Sequence, residues 1–133
     1  VLQVEEVADP VPSPKQVLVR VRAVGVNPVD TYIRSGVYAA KPPLPYTPGN
    51  DGAGDVLAVG AEVSGVRPGD RVYIANDNLP TPRTGLCAEQ ALCTPSQLHR
   101  LPDHVSYSQG AAMGVPYGTA YYSLHHRAAA RPG

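Results

Sequence analysis

The stretch "QVLVRVRAVGVN", residues 16–27, constrains the fold more than any other. Val17, Val19, Val21 and Ala23 alternate with Leu18, Arg20, Arg22 and Val24. A period of two sends these sets to opposite faces of a strand, one of them half buried. A lone strand leaves its backbone donors and acceptors unpaired, so the remainder of the chain must supply partners. The candidates are short. "GAGDVLAVG" is a Gly-flanked strand, Val72 and Ile74 point one way after the "RPGD" turn, and "LCAEQALCT" and "LHRL" read as the last strands. Turn-forming Gly and Pro separate them. With no Trp and no Phe, the interior must be built from Val, Leu, Ala and eight tyrosines, a supply that favours sheet over large helices. The reading is mainly β with a few helices (α+β), as a β-barrel or half-barrel.

The helical signals are fewer. In "NPVDTYIRSG", Asn27 can cap, Pro28 suits the first helical position and Gly36 suits the stop. Asp30 and Arg34 stand i,i+4 in the favourable order for an ion pair. "VYAAKPPLPYTPGND" and "ANDNLPTPRTG" have no periodicity and read as loops. After Pro102, Ser106 and Gln109 have capping-box spacing, and "YGTAYYSLHHRAAA" is a second helical run. Tyr121–Tyr122 and His125–His126 are neighbours in sequence, cannot share a helix face, and read as packing and solvent residues. The chain opens at "VLQVEEV" without a methionine or signal pattern and stops on a turn-like "RPG", so it reads as cut at both ends. Its 133 residues suit one domain.

Charge excludes some partners. Eleven basic and eleven acidic residues balance, and no Lys/Arg block exceeds two adjacent residues. That provides no electrostatic case for nucleic acid or an anionic membrane. No apolar run approaches the ~18 residues of a transmembrane helix. Cys87 and Cys93 lie six apart in what reads as one continuous strand, on one face of it and followed by His99. Zinc ligands usually pair at shorter spacing on a turn. A disulfide would have to bridge roughly 20 Å along an extended strand. Free thiols in a cytoplasmic protein are the expectation.

The segments "GVNPVDTYIRSGVY", "LPYTPGNDGAG", "VRPGDRV" and "QGAAMGVPYGTAYYSL" resemble, in order and spacing, the quinone oxidoreductases of the zeta-crystallin type. These belong to the medium-chain dehydrogenase/reductase superfamily. The resemblance implies a GroES-like, partly open β-barrel catalytic domain at 1–102, lacking its first strand, and helices at 103–133 linking to an absent Rossmann cofactor domain. It implies an NADPH:quinone oxidoreductase, homo-oligomeric in full length. A dinucleotide site needs a Gly-rich turn between a strand and a helix. "GNDGAG" precedes a strand and "GVPYG" lies between helices, so the fragment alone is expected to be inactive.

Zinc alcohol dehydrogenases of the same superfamily place a Cys where Asn27 stands and a His where Asn50 stands. Neutral amides bind zinc poorly. Val29 replaces the proton-relaying Ser/Thr, and the loop at 75–85 has none of the four cysteines of a structural zinc lobe. The resemblance therefore implies no metal. Quinone reduction suits such a site, because the acceptor is electron-poor and the aromatic ring stabilises the product oxyanion. Hydride and one-electron transfer both remain open.

By resemblance, Tyr32 contacts the nicotinamide cofactor, its phenol a hydrogen-bond donor at neutral pH. The alternative is a helix tyrosine packing on the barrel. Asn27 can donate and accept near cofactor or quinone, or serve only as a cap. Asn50 and Asp51 line the cleft opposite Asn27, or are turn residues bonding local backbone. Thr119 matches a position near the nicotinamide end, or is a helix N-terminal hydroxyl. Tyr46 stacks on a flat quinone, or is a lid. Three further functions stay open: an enone (C=C) reductase of the same superfamily, a non-enzymatic GroES-like binding or structural module, and, last, a zinc alcohol dehydrogenase.

Overall fold

A computed structural model describes residues 2–38, 42–75 and 85–131. Positions 76–84 of the loop read at "ANDNLPTPRTG" lie outside the described residues. Five strands form one antiparallel sheet: β1 (Val17–Gly25), β2 (Asp51–Val59), β3 (Arg71–Ile74), β4 (Gln90–Cys93) and β5 (Leu98–Arg100), in the order β4-β1-β2-β3-β5. Among the described residues the two edge strands are not paired with each other, which leaves the sheet an open barrel.

The alternation of β1 survives: Val17 and Val19 are buried, while Arg20 and Arg22 are exposed. Register shifts at Leu18/Val19 and Val21/Ala23 bend β1 against β2. Val21 packs on the main core of Val17, Val19, Val56, Val72, Ile74, Leu86, Ala91, Cys93 and Leu98, while Ala23 packs on a second cluster of Ala53, Leu101 and Ala111. That second cluster is where a short helix closes on the sheet. α2 (Tyr107–Ala111) starts at Ser106, whose hydroxyl accepts Gln109 N–H, while the Gln109 amide oxygen accepts Ser106 N–H at 2.9 Å. Arg71 of β3 fastens this segment. It donates to Pro102 O at 2.9 Å, to Val105 O at 2.8 Å and to Tyr107 Oη at 3.2 Å.

α1 (Pro28–Ser35) begins and ends as its residues require, with Pro28 at the first position and Gly36 left-handed at φ 76°. Asp30 turns its carboxylate inward instead of pairing with Arg34, because two nearer donors, Asn27 N–H and the Asn50 amide, claim both oxygens. The cysteines are not on one strand. Residues 86–89 are bends, tied to the preceding loop by Leu86 N–H to Gly49 O and Cys87 N–H to Pro48 O. Cys93 alone reaches the core, and Cys87 is exposed. Beyond α2 the chain stays helical but widens, through a π turn (Met113–Tyr117), α3 (Gly118–Tyr121) and a second π turn (Tyr122–Arg127). From Pro116 to Arg131 every residue is exposed. There the aromatic side chains pack at i,i+4, Tyr121 on His125 and Tyr122 on His126, with ring centroids 4.7 and 5.5 Å apart.

Candidate functional site

The end of β1, the start of α1, the start of β2 and the turn after α2 converge on a chain of amides and acids. Asn27, the α1 cap, is 5% exposed and Asp30 8%, while Asp51, the first residue of β2, has no exposed surface. Asn27 Nδ2 donates to Asp51 Oδ2 at 2.8 Å, and Asn27 N–H donates to Asp30 Oδ2 at 2.8 Å. Asn50 Nδ2 donates to Asp30 Oδ1 at 2.6 Å. Val115 N–H reaches both oxygens of Asp51, at 3.1 and 3.0 Å. Each carboxamide thus has an acid holding its nitrogen, Asp51 for Asn27 and Asp30 for Asn50.

Local chemistry explains the placement. Pro28 cannot donate, so the α1 N-terminus has room for an Asn cap whose N–H is met by Asp30, the return half of a capping box. Asn50 and Asp51 face different ways because strand side chains alternate. Asn50 stays part exposed, whereas Asp51 goes fully inside. Burial is the largest influence on Asp51 and pushes its carboxyl above the usual value. The hydrogen bonds from Asn27 and Val115 oppose this, and the Asp30 charge adds to it.

The other expected site residues are placed differently. Tyr32 projects from α1 and is 51% exposed. Thr119 is exposed on α3. Tyr46 is partly buried, and its Oη is enclosed without a hydrogen-bond partner among the described residues. The structure therefore joins Asn27, Asn50 and Asp51, and leaves Tyr32, Tyr46 and Thr119 outside that hydrogen-bonded cluster. Asp51 is too deep to touch a substrate directly. Sequence reasoning gave Asp30 to Arg34 and missed the Val115 N–H and Gly114. A Cβ at Gly114 would stand 2.2 Å from Asp51 Oδ1. No local signal marks a contact between residues 64 positions apart.

Beside α1 lies a small cavity of about 140 Å³, bordered by Val26, Asp30, Thr31, Arg34, Pro48 and Cys87. A larger depression of about 650 Å³, between residues 65–72 and 98–103, contains none of the expected site residues. Among the described residues no three His, Cys, Asp or Glu side chains gather as a metal ion would need. Chemically, the cluster can orient carboxamides and hold a buried carboxylate in place.

Comparison with known proteins adds to this geometry. Residues 13–123 match the alcohol dehydrogenase GroES-like domain family. The chain is 50% identical over 128 residues to the quinone oxidoreductase of Lama guanicoe, covering 96% of this chain and 37% of that protein. It is 35% identical to the crystal structure of a quinone oxidoreductase of Pseudomonas syringae, with a TM-score of 0.78, covering 97% of this chain and 38% of the other. It is 31% identical to the Escherichia coli quinone oxidoreductase complexed with NADPH, with a TM-score of 0.79, covering 96% and 36%. The chain thus spans little more than a third of the length of the relatives it matches.

Proposed function

Because the chain belongs to the alcohol dehydrogenase GroES-like domain family, we propose that it forms the substrate-side part of an NADPH-dependent quinone reductase that works without zinc. The observation that carries this reading is the pairing of carboxamides with acids, Asn27 with Asp51 and Asn50 with Asp30. Zinc takes thiolate, imidazole or carboxylate. The nitrogens of the two amides have no lone pair to offer, and the two acids are already engaged in holding them. The donor set does not fit the metal.

The residues fit a flat, electron-poor acceptor better. The enclosed Tyr46 Oη can give its hydrogen bond to a carbonyl oxygen, and the exposed Tyr32 hydroxyl is a second donor. Tyr32, Asn27 and Thr119 are the groups we assign to the nicotinamide cofactor, and Asn50 and Tyr46 to the substrate pocket, with Asp51 behind that wall holding Asn27 in place. When bound, NADPH supplies the reducing electrons. The chain's own share is to fix the rim, keep water from the reacting atoms, and meet the developing oxyanion with phenol donors. We place the dinucleotide motif in a domain reached through residues 103–133. No helix among the described residues is long and apolar enough to cross a membrane. Two free cysteines support a reducing compartment, the cytoplasm.

The test is an NADPH assay with 1,4-benzoquinone, on this chain and on a version continued by ~150–200 residues, the size of a second domain. The continued form is expected to turn over, unaffected by a zinc chelator. Loss of activity on chelation overturns the metal-free reading. Turnover of 2-cyclohexenone with none of the quinone makes it an enone reductase. Activity in neither form leaves a binding module.

A further inference from the structure

Three stretches of chain meet at the Asp51 carboxylate: the cap of α1 through Asn27, the start of β2 itself, and the turn after α2 through Val115. A fully enclosed carboxylate is costly unless its donors are well placed. The turn is seated unusually close. Gly114 lies where any Cβ would strike Asp51 Oδ1, so only glycine lets the backbone approach this far. Beyond Val115 the chain has no comparable tie to the sheet among the described residues. Pro116 has no N–H to give. The further hydrogen bonds of this run are internal, such as Tyr117 N–H to Ala112 O, Ala128 N–H to Ser123 O and Ala130 N–H to Leu124 O. The helical run beyond Val115 is exposed throughout, and its last hold on the sheet among the described residues is the Val115 N–H on Asp51.

We propose that Asp51 is a positioning residue: through the Val115 N–H its buried carboxylate sets the direction in which the helical run 116–127 leaves the sheet, and with it the placement of Thr119 relative to Asn27. This deepens the reading above, which assigns Thr119 and Asn27 to the cofactor. The same carboxylate grips the Asn27 amide with one oxygen and the turn with both, so a shift of either is felt by the other. The carboxylate acts through these two groups and not on a substrate.

Residual dipolar couplings of the isotopically labelled chain test this without cofactor or quinone. In the wild type, N–H vectors of 118–127 are expected to share one alignment with β1 and β2. Asp51→Ala removes the acceptor, and the couplings of 118–127 are expected to collapse toward zero while those of the sheet stay. Asp51→Asn keeps an acceptor oxygen for Val115 N–H and is expected to restore them. Wild-type couplings in Asp51→Ala overturn the proposal. Should Asp51→Ala fail to fold, Gly114→Ala presses the turn off the carboxylate with Asp51 intact. It is expected to reorient 118–127, and an unchanged alignment there overturns the proposal equally. These couplings in the chain, with no quinone turnover by the continued form, refute the function and leave the positioning role standing.

Discussion

Two acids of β2 with opposite behaviour show how single residues shape stability. Asp51 is raised above its ordinary value of 3.8, mainly by burial. As pH rises from 3.8, the unfolded chain ionises this group first, and the folded state must ionise it at a cost. The native state therefore loses stability between 3.8 and the raised folded value, and stays lower above it. Asp51→Asn cannot ionise, so its stability relative to wild type should grow with pH across that window and then level. Urea unfolding at about pH 3.5, 5 and 7 checks this; a constant difference would contradict it. Asp55 goes the other way. Burial, the largest single influence, works to raise it, but hydrogen bonds from Tyr107 and Arg22 and the charges of Arg22 and Arg71 outweigh burial and hold it below 3.8. Its contribution is present above 3.8 and is lost as pH falls through the folded value. Tyr107→Phe should cost about 1.5–3 kcal/mol near neutral pH, the worth of a bond to a charged group, and markedly less in strong acid.

At the level of elements, the caps differ in what they hold. Ser106 caps α2 through a local reciprocal pair with Gln109. Asn27 caps α1 and also joins α1 to β2 through Asp51. Ser106→Ala should cost about 1 kcal/mol, an ordinary N-cap loss. Asn27→Ala should cost about 2–3 kcal/mol, because it also leaves a buried carboxylate short of a donor. Equal losses in chemical unfolding would mean that Asn27 is a cap and nothing more. Both caps were legible in the sequence, since a cap is set by residues three apart. The Asp30–Arg34 pair was misread for a related reason. Helical spacing says which neighbours can meet, but Asn50, twenty positions away, made the better bond.

Over the whole molecule, the sheet decides which chemistry solvent can reach. Cys93 sits in the main core, where burial pushes its thiol up to about 12, while Cys87 stands on the exposed bend before β4. A disulfide-exchange reagent at about pH 8 should label one thiol per native chain and two after denaturation. Two labelled thiols in the native state would contradict this burial. The same pair shows where sequence stops. Their spacing placed them on one strand face, and only the bonds from residues 86 and 87 back to the 48–49 loop turn the segment into bends before β4. The alternation of β1, the cap and stop of α1, the Ser106 capping box and the mainly β content follow from sequence alone, because each rests on periodicity or on neighbours a few residues apart; the open form of the barrel was implied only by the family resemblance. The amide–acid chain of Asn27, Asp30, Asn50 and Asp51, the Val115 N–H on Asp51, and the enclosed Tyr46 Oη were decided by tertiary structure. Burial and long-range hydrogen bonding depend on which segments the sheet brings together, and no local pattern encodes a partner 20 to 64 positions away.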